Sequence, residues 1–138
     1  MTRADKQLVY DTIRQTCRRL GMPGLPCVID FEMKQKPWNR VAEFSHCINA
    51  IRPCEWVIVL NSRYWVDFCK MEKKTVVAHE VTHIVEHVLH PAGKIMHPPL
   101  FWKLYAKTGY MEYDRKWHNG YPPWYAKLFP PKPRKKRK

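Results

Sequence analysis

The sequence predicts an α+β domain, and three observations predict it. Apolar residues recur at helical spacing near the N-terminus. Three β-like runs then crowd between residues 27 and 60. Beyond residue 61 the helical spacing returns, in a long run that contains H-E-x-x-H at His79, Glu80 and His83. Strand and helix signals are segregated along the chain, as in α+β folds. A chain of 138 residues fits one domain and can bury a core without the help of a metal or a disulfide.

Each element has its own justification. In DKQLVYDTIRQTCRRL, Leu8, Val9, Ile13 and Leu20 share a helical face, and Gly21 with Met22-Pro23-Gly24 ends the segment. A helix is expected over 5–20. Cys27 to Met33 (CVIDFEM) alternates after its start, Val41 to Ile51 alternates in part, and EWVIVL at 55–60 is apolar and β-branched like a buried strand. Lys36-Pro37-Trp38-Asn39 and Arg52-Pro53 punctuate the runs, and a small antiparallel sheet is the simplest assembly. Tyr64 to Cys69 reads as a short helix. Glu72 to about Leu89 reads as a long one, ended by Pro91 and Gly93. LFWKLYAK, 100–107, is a further helix stopped by Gly109. Trp65 and Trp102 are expected in the core. The end of the chain turns proline- and aromatic-rich and then purely basic, with no internal repeat.

Composition excludes several classes. Hydrophobic residues at 45% and aromatics at 13% argue against disorder over most of the chain. No run is long enough for a membrane-spanning helix, so no membrane partner is expected. MTRADKQLVYD lacks the apolar core of a signal peptide, and an intracellular location is expected. The five cysteines, Cys17, Cys27, Cys47, Cys54 and Cys69, form no C-x-x-C pair. They read as small, partly buried thiols, with a Cys47–Cys54 bridge across a hairpin as the lesser alternative. The net charge of +13 is large for one small domain and predicts attraction to polyanions, nucleic acid first.

The chemistry concentrates in TVVAHEVTHIVEHVLH, 75–90. Val77, Val81, Ile84 and Val88 read as a buried stripe. His79 and His83 stand one turn apart on a neighbouring face, so both rings can reach one zinc ion. Glu80 is rotated about 100° from His79. It can therefore stand beside the metal without binding it and act as general base toward a water that zinc acidifies. Isolated histidines on a core or surface face are the plainer alternative. The third ligand is open on spacing alone. His87 is about 12 Å along the helix from His79, too far for one ion. Where a histidine six residues on completes such a site, a glycine breaks the helix in between. Here position 86 is Glu, and His90 comes seven residues on, before Pro91. His87 and His90 fit better as solvated or supporting residues. Glu112 from a later helix and His97 after the loop HPAGKIM are the other donors. Tyr105 and Tyr110 lie nearby, but tyrosines at such positions are more often core, so no oxyanion stabiliser is assigned.

H-E-x-x-H, a gap of about a dozen residues, then H-x-P-x-F-W leading into a helix resembles the SprT-like (Spartan-type) zinc metalloprotease domain. HEVTH at 79–83 and HPPLFW at 97–102 carry the likeness, with His97, Pro99 and Phe101 matching and Pro98 where the family has glycine. The upstream order of helix, small sheet, WVIVLN and TVVAHEVTH also matches, over roughly residues 6–110. The resemblance implies a zincin-like α+β fold, one catalytic Zn2+ on His79, His83 and His97, Glu80 as general base, and a protein substrate. No cysteine follows Cys69, so the cysteine-bearing zinc ribbon of many members is not expected. The family acts on proteins attached to DNA, which fits the charge.

Three segments are expected: the SprT-like domain over 1–115, an aromatic and proline-rich extension over 116–131, and a basic tail over 132–138. Six of the last seven residues are basic: Lys132, Arg134, Lys135, Lys136, Arg137 and Lys138. Such a tail binds phosphates without sequence preference; a solubilising tail and a nuclear localisation signal read the same way. The leading expectation is a zinc-dependent endopeptidase acting on nucleic-acid-associated proteins. The alternative is a catalytically silent nucleic-acid-binding protein, scaffold or inhibitor that keeps the fold.

Overall fold

A computed structural model describes residues 1–35, 41–46, 56–90, 99–111 and 113 of the chain. Helix α1 runs Arg3–Arg19, ahead of the expected start, because Thr2 caps it: Thr2 Oγ1 accepts the Asp5 N–H at 3.0 Å. Gly21, at φ 77°, closes the helix. The Met22 N–H reaches Cys17 O and the Gly21 N–H reaches Arg18 O, so two terminal carbonyls are satisfied. Cys27 and Val28, expected in the first strand, lie instead in a 3-10 turn over Leu25–Val28, which Pro26 favours with its fixed φ.

The strands are β1 (Ile29–Lys34), β2 (Ala42–His46) and β3 (Trp56–Asn61). The sheet is mixed, not antiparallel: the order is β1-β3-β2, with β1 parallel and β2 antiparallel to β3. The order follows from β3, whose WVIVLN is buried at almost every position and so takes the centre, with a neighbour on each side. Phe44 stands opposite Ile58 in the β2–β3 register.

Helices α2 (Ser62–Trp65), α3 (Lys70–Leu89) and α4 (Pro99–Thr108) complete the described elements. The Asn61 side chain caps α2 by accepting the Arg63 N–H. Helix α3 begins at Lys70, before the expected Glu72, because Cys69 is its cap residue and the Glu72 carboxylate accepts the Cys69 N–H at 2.6 Å. It packs against α1, β2, β3 and α4. Burial therefore extends round the whole helix from Thr75 to Glu86, beyond a single stripe. Val88, expected in that stripe, is exposed: at this last turn it is the neighbouring His87 that faces the sheet. Gly109, at φ 87°, ends α4, and the Arg19 guanidinium donates to Thr108 O at that corner. Trp65 is core as expected, but Trp102 stands on the outer face of α4 while Phe101 turns inward. Among the described residues no helix is long and apolar enough to cross a membrane.

Candidate metal centre

Helix α3 lines up His79, His83 and His87 at successive turns. The first two are buried, at 2% and 3% exposure, and their Nε2 atoms stand 3.1 Å apart. Zinc holds imidazole nitrogens at about 2.0–2.1 Å in a tetrahedron, which sets two such donors about 3.3 Å apart. The separation of the two nitrogens thus fits a shared ion, and the donor type fits zinc.

The aromatic surroundings fix both rings. Phe101 of α4 stacks on His83, with centroids 4.4 Å apart and 27° between planes, and Phe44 of β2 stacks on the same ring at 5.3 Å and 17°. His79 meets Phe101 at 5.0 Å and Tyr105 at 5.5 Å, edge to face in both cases. Elements distant in sequence therefore converge on one pair of imidazoles. An imidazole gripped in this way loses little further rotamer freedom when a metal binds. Phe44 is a site residue that the sequence did not disclose; its only signal was the inward phase of an alternating run.

Glu80 is buried beside His79, at 4% exposure. A carboxyl group in such a place is costly unless charge or hydrogen bonds offset it, and proximity to a bound cation is one such offset. Glu86 is buried as well. One of its oxygens lies 4.0 Å from His83 Nδ1. Burial raises the Glu86 carboxyl above the ordinary range, while the nearby His87 and His90 pull it back in part.

The other histidines separate clearly. His87 is half-buried and leans on Phe44, at 5.2 Å, and on Trp56, at 6.0 Å, so it packs on the sheet and is not simply solvated. His90 is exposed and caps α3, its N–H reaching Glu86 O, as its place before Pro91 led us to expect. Among the described residues no group of three His, Cys, Asp or Glu side chains gathers to hold an ion. His97, Glu112 and the tail residues Lys132, Arg134, Lys135, Lys136, Arg137 and Lys138 lie outside the described residues. Tyr105 and Tyr110 are both core. Tyr110 donates to the Gln15 side chain at 3.4 Å, and its burial raises the phenol above the usual range, with Arg19 opposing in part. Cys17 is buried, and that burial pushes its thiol up to about 12, whereas Cys27 and Cys69 are exposed free thiols. Cys47 and Cys54 lie outside the described residues.

No protein-family model, curated protein or solved structure matches the chain.

Proposed function

We propose that the chain is a zinc-dependent endopeptidase of the SprT-like type, with a zincin-like fold, that acts on proteins associated with nucleic acid. One observation carries this reading: two buried imidazoles on adjacent turns of α3 bring their Nε2 atoms to 3.1 Å, with a buried carboxyl on the very next residue. A purely structural zinc site has no use for that carboxyl.

His79 and His83 would hold the zinc, and His97 is the third ligand implied by the family resemblance. Three histidine ligands leave a fourth position open, as catalysis requires. Held by these residues, zinc would lower the pKa of a water at that open position to about 7 and polarise a peptide carbonyl. Glu80 takes the proton of the attacking water and returns it to the departing amine. Phe44, Phe101 and Tyr105 hold the imidazoles in place and keep bulk water from their faces. Among the described residues no strand pairs with the outer edge of β2, which carries Phe44 beside the pair. An extended polypeptide can add to that edge through backbone hydrogen bonds and so lie across the site.

The nucleic-acid half of the reading rests on the net charge of +13 and on the basic run 132–138. A single substitution separates the two halves. Glu80→Gln should lower cleavage of a DNA-bound protein by at least about 100-fold, the range expected for loss of a general base. Its DNA affinity should match wild type. Equal cleavage by the two proteins would defeat the peptidase reading.

A further inference from the structure

Beyond the His-Glu-His motif, α3 carries a second buried acid that the proposed chemistry leaves unused. Glu86 sits one turn after His83, on the same side of the helix. The two side chains are only 4% and 9% exposed, and Glu86 Oε1 faces His83 Nδ1 at 4.0 Å. Phe44 and Phe101 stacked on the ring make this a poorly hydrated place. A polar contact there is stronger than in water, and water is a poor substitute for it.

The two nitrogens of His83 face different partners. Nε2 points to His79, at 3.1 Å. Nδ1 points to Glu86. An imidazole can offer Nε2 as a metal donor only when its proton resides on Nδ1. A carboxyl oxygen at Nδ1 favours that tautomer by accepting its hydrogen bond. The gap exceeds a formed hydrogen bond, but contacts in ligand-free sites are commonly long and tighten when the site is filled.

We propose that Glu86 is a positioning residue for the metal centre: its carboxyl oxygen accepts a hydrogen bond from His83 Nδ1 and so keeps Nε2 of that ring unprotonated and aimed at the point shared with His79. The inference rests on the zinc reading above. It adds a residue that lies outside the His-Glu-His motif and that acts through a ligand, not on the substrate.

The test uses the full chain, with Glu86→Leu to remove the acceptor at similar volume and Glu86→Gln to keep one. Zinc affinity is read by calorimetric titration of the metal-free proteins. Glu86→Leu should bind zinc about 10- to 100-fold more weakly, the usual effect of losing such a partner, and Glu86→Gln should recover most of the loss. The tautomer is read independently on metal-free wild type and Glu86→Leu, by long-range nitrogen–proton correlation spectra of the His83 ring. Nδ1–H is expected in wild type. The Nδ1–H form should be less populated in Glu86→Leu, and a tautomer ratio that is the same in both proteins overturns the proposal, as does zinc affinity in Glu86→Leu equal to wild type. Wild type that binds zinc while Glu86→Leu binds it equally well defeats the role of Glu86 alone. Wild type that binds no zinc defeats the metal reading and this inference together.

Discussion

Phe101 illustrates how a single residue serves both the fold and the site. Its ring is fully buried, stacks on His83 and meets the edge of His79. Truncation to alanine should therefore cost about 3–5 kcal/mol of stability, as for other buried phenylalanines. It should also weaken zinc binding, because His83 loses one of the rings that hold it. Urea unfolding with and without zinc separates the two effects: a variant that unfolds early yet gains as much as wild type from zinc would show that the ring serves the core only. At this scale the sequence placed His79 and His83 on adjoining turns of one helix with Glu80 turned aside from them, because helical geometry converts spacing into direction. It did not disclose Phe44, whose contact with His83 depends on how the sheet meets α3. It also put Trp102 in the core, whereas α4 turns Phe101 inward and leaves Trp102 on its outer face. Either aromatic could have faced inward, and only the rotation of α4 about its axis decides between neighbours. Glu86 was legible as a helical neighbour of His83 but not as a buried one, since carboxylates are seldom buried.

Helix α3 is tied to α1 by an ion pair as well as by apolar packing. Lys73 Nζ donates to Asp5 at 3.0 Å, with both side chains largely shielded, and the same ammonium lies 5.2 Å from the Trp65 ring centre. Burial alone would raise the Asp5 carboxyl. Hydrogen bonding, chiefly from Lys73, and the Lys73 charge outweigh it and hold the group below the usual carboxylate range. The folded state thus favours ionised Asp5. Its contribution is complete above the unfolded pKa of about 3.9 and is lost as pH falls through the lower folded value. Asp5→Asn should destabilise the protein by about 1 kcal/mol at pH 7, a typical size for such a pair. That difference should shrink steadily below about pH 4. Denaturant midpoints of both proteins at pH 7 and in acid check it, and a gap that persists in acid would point to packing instead of charge. The same helices show why element ends escaped the sequence. Apolar spacing marks where a helix is buried, whereas its start is set by a cap. Thr2 is an ordinary cap whose signal preceded the apolar stripe, and Cys69 is not a usual cap residue at all. The mixed sheet departs from the antiparallel expectation for a different reason. Alternation identifies strands and their faces, but strand order follows from which strand can be buried on both sides. The apolar run of β3 held that information, and it implied a central strand with a partner on each edge.

For the whole molecule, the excess of positive charge and the site chemistry answer different questions and can be tested apart. Deleting residues 132–138 removes six cations and leaves every described element untouched. If the tail carries nucleic-acid binding, affinity should fall and its salt dependence should flatten. Each phosphate contact contributes about 0.9 to the slope of log affinity against log salt, so the change could reach about 5 if all six cations engage. Hydrolysis of a short, uncharged peptide should not change, because the tail would act by concentrating the enzyme on its substrate. Cleavage of a DNA-bound protein should fall at low substrate and recover at saturation, a rise in KM with kcat unchanged. An unchanged salt slope would move the binding surface onto the folded part, where α1, α3 and α4 expose Arg3, Lys6, Arg14, Arg18, Lys70, Lys103 and Lys107. A fall in peptide hydrolysis would instead mean that the tail reaches the site itself, and the separation of anchor from catalytic centre would then be wrong.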